Sequence, residues 1–162
     1  MVSHLFTLIS PFSSTKSIQI MARLLSIDYG KKRTGIAVTD TLQLIANGLC
    51  TVETKELLKF LVDYCAKEEV ERFVVGLPMQ TTGEASENQQ RVRCFVGELR
   101  KALPAIPVEF YDERFTSVLA HRAMLDSGIG QKRRRDKALV DEIAATIILQ
   151  DYMASRGSQF PI

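Results

Sequence analysis

The stretch LLSIDYGKKRTGIAVTD, residues 24–40, sets two apolar runs on either side of a glycine and three consecutive cations. RLLSIDY (23–29) is stopped by Gly30, and TGIAVTD (34–40) resumes after the basic turn. A connection this short predicts antiparallel neighbours. GLCTV (48–52) adds a third run, so the region reads as a three-strand meander. Asp28 stands against this pattern, a carboxylate near the end of a strand otherwise fit for burial. Beside it lie Lys31, Lys32 and Arg33. Two readings fit: a plain ion pair, or half of a device that holds a metal ion and a phosphate together.

Further along, the period changes. Leu57, Leu58, Leu61, Tyr64 and Cys65 follow helical spacing and predict a helix over about 55–68. RFVVGLP (72–78) is a fully apolar strand closed by Gly76 and Pro78. Ser86, with Gln89 three residues on, has the form of a capping box, and Val92, Phe95, Val96 and Leu99 supply the buried stripe that follows. Pro104 and Pro107 bracket the way to a fifth strand, VEFYDE (108–113). Thr116 or Ser117 caps a further helix through Leu125, IGQKRRRDK (129–137) is a basic linker, and a last helix covers about 137–153. The order β-β-β-α-β-α-β-α-α predicts an α/β domain over 22–156: a mixed five-stranded sheet, antiparallel meander plus parallel strands, flanked by helices. Residues 1–21 and 157–162 fall outside it as an extension and a tail.

The totals narrow the class. A chain of 162 residues with 46% apolar and 25% charged content suits one soluble globular domain. A net charge of +2 names no partner, but cations gather at 31–33 and in KRRR (132–135). Such clusters contact phosphates or are simply solvated runs. Three cysteines without C-x-x-C spacing read as buried thiols of a reducing cytoplasm. Two histidines and no G-x-S-x-G turn argue against a histidine-rich zinc site and a serine hydrolase. Residues 1–20 lack acids, yet their apolar core LFTLI is short, Pro11 interrupts them, and no basic residue precedes that core. They read as a flexible extension before Met21 rather than a cleaved leader, and no membrane-spanning segment is expected.

Three acids fall where open sheets bind ligands. Asp28 ends the first strand and Glu113 the fifth, with Asp112 beside it, and Asp141 opens the last helix. On that helix Leu139, Val140, Ile143, Ala144, Ile147 and Ile148 define an apolar face. At about 100° per residue, Asp141 lies roughly 110° from its centre and Glu142 roughly 150°. Asp141 is thus expected at the margin, able to reach over the sheet end, and Glu142 in water. The other reading of Asp141 is a first-turn acid favoured by the helix dipole. Crowded carboxylates repel unless a cation compensates them, and oxygen ligands suit Mg2+ or Mn2+. Two such ions about 3.5–4 Å apart cleave phosphodiesters. Lys31, Lys32, Arg33 and Arg114 would then hold a nucleic-acid backbone.

SIDYGKKRTGIAV, VVGLP, DERFTS and VDEIAATIILQDY together resemble the YqgF/RuvX family of Holliday-junction-resolvase-like proteins, over roughly 22–153. The resemblance implies a ribonuclease-H-like fold, a metal-dependent phosphodiesterase site, a role in pre-16S ribosomal RNA processing and a bacterial cytoplasmic setting. It implies Asp28, Glu113 and Asp141 as the catalytic, metal-holding acids. Substrate contacts are then expected from Lys31, Lys32, Arg33, Arg114, Thr116 and Ser117, with Arg114 alternatively paired to Asp112 and the two hydroxyls alternatively helix caps. The partner is nucleic acid, structured RNA or junction DNA, and the protein acts as monomer or homodimer. Two other classes remain beside the nuclease: a non-catalytic nucleic-acid-binding module, and an actin-like ATPase, which would need a second domain.

Overall fold

A computed structural model of the chain describes residues 22–79, 86–112, 126, 128, 130 and 135–157. Five strands form one sheet: β1 (Arg23–Tyr29), β2 (Arg33–Thr39), β3 (Ala46–Glu53), β4 (Val70–Leu77) and β5 (Val108–Asp112). Their order is β3-β2-β1-β4-β5. β1, β2 and β3 pair antiparallel, whereas β4 runs parallel to both β1 and β5. The mixed α/β sheet expected from the sequence is the one found, and the carboxyl ends of β1, β4 and β5 share one edge.

Helices α1 (Leu57–Cys65, after a 3-10 turn at Thr54–Glu56) and α2 (Glu87–Ala102) cover one face. There Leu25, Ile27, Ile36, Phe73 and Val75 pack against Leu57, Leu61, Val92 and Leu99. Full burial of each such side chain contributes about 2 kcal/mol. The Ser86 hydroxyl caps α2, accepting from the Gln89 amide at 3.1 Å. Only half of the expected box is made, because the Gln89 side chain turns to the Met79 sulfur at 3.8 Å.

The last described helix, α3 (Lys137–Gly157), covers the opposite face and extends beyond the expected stop at Met153. Leu24, Ala37 and Val74 meet Ala145, Ile148, Leu149 and Tyr152 there. Asp136 caps it, its Oδ1 accepting from the Ala138 amide at 3.0 Å. Between β2 and β3, Asp40 organises a loop that leaves Leu42, Leu44 and Ile45 exposed. Cys50 and Cys65 are half-buried but Cys94 is exposed, so the buried-thiol expectation fails at Cys94. It lies off the Val92, Phe95, Val96 and Leu99 stripe of α2. No described helix is long and apolar enough to cross a membrane.

Candidate active site

Strand alternation puts Leu24, Ser26 and Asp28 on the face that α3 covers. Leu24 packs with Ala145 and Ile148, and the Ser26 hydroxyl donates to the Ala145 carbonyl at 2.6 Å. Asp28 continues this row to the sheet edge, half-buried. Its partner across the antiparallel ladder is Gly35. A Cβ at Gly35 would overlap the Asp141 carbonyl oxygen and come within 2.9 Å of the Glu142 amide nitrogen. A bare Cα therefore lets the second turn of α3 rest directly on β2. Since directly opposed residues lie about 5 Å apart, Asp28 and Asp141 are brought to the same end of the same face.

Asp141 does not sit at a margin. It continues the line Asp141, Ala145, Ile148, Leu149, Tyr152 that faces the sheet. The difference has a physical cause: α3 is apolar on two sides. Ile143, Ala144 and Ile147 form a cluster of their own, and averaging both sides shifts the apparent centre away from the sheet. Nor is Asp141 a first-turn acid, since the first turn of α3 carries none. Glu142 departs further from expectation. Instead of pointing to water it lies on β3, where a Cβ on Gly48 would strike its side chain.

Arg33, at the start of β2, donates from Nε to Asp141 Oδ2 at 3.0 Å. Burial pushes the Asp141 carboxyl above its ordinary range, and Arg33, pulling it down, does not fully compensate. The turn before Arg33 is tightly held. The Thr54 hydroxyl donates to the Gly30 carbonyl at 2.7 Å, and the Thr54 amide to the Lys32 carbonyl at 3.0 Å. A Cβ on Gly30 would overlap the Arg33 carbonyl, so this turn needs glycine. Lys31 and Lys32 consequently project into solvent at the sheet edge, both exposed.

On β5, Asp112 is exposed and pairs in register with Leu77. Glu113 follows it directly in sequence, but Glu113, Arg114, Phe115, Thr116, Ser117 and the KRR of 132–134 lie outside the described residues. Among the described residues no group of three His, Cys, Asp or Glu side chains forms a metal cluster. The arrangement there is two acids at one end of a sheet face, Arg33 bonded to one of them, and two exposed lysines in the adjoining turn. Sequence reasoning missed Gly35, Gly48 and Ser26, the residues that let α3 approach. Small residues in strands were the available signal.

Three comparisons bear on this geometry. The family model described as RuvX, Holliday junction resolvase, matches residues 22–155. A protein of Bacteroides thetaiotaomicron named as a candidate pre-16S rRNA nuclease is 62% identical over 136 residues, 84% of this chain and 99% of that protein. A Flavobacterium johnsoniae protein of the same name is 52% identical, again over 84% of this chain and 99% of its own length. Among solved structures, RuvC of T. thermophilus, in complex with a Holliday junction substrate, superposes with a TM-score of 0.53. At 19% identity over 87% of this chain and 99% of that one, it shows a shared ribonuclease-H-like fold.

Proposed function

Since the chain belongs to the RuvX family, we propose that it is a nuclease, hydrolysing phosphodiester bonds of structured RNA at the 5′ end of the 16S ribosomal RNA precursor. The observation that supports this reading is the seating of α3 on Gly35, the ladder partner of Asp28, which puts Asp141 and Asp28 at the same end of one sheet face. Ligands of open sheets bind beyond that edge. Glu113 is the third acid of the proposal, because it follows β5, whose carboxyl end lies on the same edge.

Mg2+ or Mn2+ fits these donors. They are carboxylate oxygens, and the Asp141 carboxyl, held high by burial even with Arg33 upon it, would be relieved by further positive charge. Asp28, Asp141 and Glu113 would hold two ions, which when bound supply an activated water and steady the leaving oxygen. Arg33, Lys31 and Lys32 hold the substrate backbone beside the acids, and Arg33 keeps Asp141 in place meanwhile. Arg114, Thr116 and Ser117 complete the phosphate contacts. The setting is the cytoplasm.

The test is cleavage of a pre-16S transcript with Mg2+ or Mn2+ by the parent chain and by the triple variant Asp28→Asn, Glu113→Gln, Asp141→Asn. Cleavage is expected from the parent and none from the variant. Cutting that persists in the variant overturns the site. A four-way DNA junction assayed alongside, if cut in preference to the RNA, overturns the substrate.

A further inference from the structure

On the other face of the sheet from Asp28, an open groove of ≈ 700 Å³ runs between the 3-10 turn, α1 and α2. Tyr29 and Phe95 form its floor, stacked with ring centroids 5.1 Å apart and an interplanar angle of 29°. Lys31, Lys55 and Arg91 stand on its walls. A second depression of ≈ 500 Å³ adjoins it, lined by Lys31, Lys32, Arg33, Glu53 and Lys55. Lys31 and Lys55 line both, so the two form one trough. Its near end is Arg33, which holds Asp141.

The trough also contains acids, and most are already answered. Glu53 is paired with Lys55 at 2.8 Å, and Glu87 with Arg91. Lys31 and Lys32 join no ion pair among the described residues, so the basic character is strongest beside Arg33. Glu98 lies on the α2 wall. Cations along a groove with aromatic rings on its floor are the combination that binds single strands, the cations taking phosphates and the rings unstacked bases.

We infer that this trough is a binding subsite for an unpaired nucleotide segment continuous with the strand held at Asp28 and Asp141. The inference rests on the nuclease reading for that continuity, but the binding is testable without any cleavage. The strand would pass around the Gly30–Arg33 turn at the sheet edge. Lys31 and Lys32 hold its first phosphates, Lys55 and Arg91 exchange their surface carboxylate partners for the next, and a base stacks on the outer face of Tyr29, which Phe95 backs.

Cys94 lies in this groove and is exposed, whereas burial raises the thiol pKa values of Cys50 and Cys65 and slows their reaction. Alkylation of Cys94 therefore reports occupancy. With metal chelated, a labelled eight-nucleotide single strand is titrated into the full chain, as RNA and separately as DNA, following anisotropy and the Cys94 alkylation rate. Saturation is expected to slow alkylation at least threefold. Lys55→Ala with Arg91→Ala is expected to weaken binding about tenfold and to flatten the salt dependence by about 1.4 in log–log slope. Both side chains make exposed pairs whose loss barely affects folding, which a melting curve verifies. Glu98→Gln should tighten binding. Binding that leaves Cys94 fully reactive, or no binding of either strand, overturns the inference. Preference between RNA and DNA assigns the source of the segment. Loss of the nuclease reading would appear separately, as absent cleavage with groove binding intact.

Discussion

A methyl group at position 35 would overlap the Asp141 carbonyl, and helix backbone cannot swing aside as a side-chain end can. Gly35→Ala should therefore lift α3 from β2, at about 3 kcal/mol. The melting temperature should fall by roughly 6–12 °C, and cleavage should be lost even where the protein remains folded. Gly48→Ala is the informative contrast. The atoms it meets belong to the Glu142 side chain, which can rotate, so about 1 kcal/mol is expected and activity should survive. Asp141→Asn tests the electrostatics. Burial holds this carboxyl above its ordinary range, so its ionised form lowers stability at neutral pH. Melting at pH 7 should be unchanged or higher in the variant, with the difference vanishing only as the pH falls well below the ordinary carboxyl value of 3.8, where Asp141 is protonated both folded and unfolded. A large loss of stability at pH 7 would show that the Arg33 pair outweighs burial.

Asp40 gathers the β2–β3 loop by accepting amides of Leu42 at 3.0 Å and of Leu44 and Ile45 at 2.8 Å. The Ile45 amide is the largest of the influences that hold its carboxyl below the usual range. A lowered carboxyl adds stability above its unfolded pKa and loses it as pH falls through the folded one. Asp40→Ala should therefore be less stable than the parent at pH 7, with the two urea curves converging well below pH 4. Strands and α2 were legible in the sequence because glycine and proline break the apolar runs and Ser86 stands at a cap. The facing of α3 was not. Its apolar residues serve two clusters, and only the tertiary partner tells which side carries Asp141. The choice of Asp28 rested on its strand end and that of Asp141 on its angle to the apolar face of the last helix, with family likeness joining the two. The glycine that joins them required the β1–β2 register, which no local pattern encodes.

Across the molecule α3 lies over strand after strand. The Thr51 hydroxyl of β3 donates to the Ala138 carbonyl at 2.7 Å, Gly35 of β2 lies under Asp141, Ser26 of β1 binds Ala145, and Tyr152 donates to Glu109 of β5. Amides of β1, β2 and α3 should consequently exchange hydrogen together, at the free energy of global unfolding, while the 40–45 loop opens far more readily. Separate exchange of α3 would contradict this coupling. There is also a consequence for biosynthesis. Among the described elements α3 is translated last, so a nascent polypeptide leaves Leu24, Ala37 and Val74 uncovered until Tyr152 has cleared the exit tunnel. Throughout that interval Asp28 has no Asp141 beside it. If Asp28 and Asp141 act together as proposed, the site is assembled only when this last described helix has docked on the sheet.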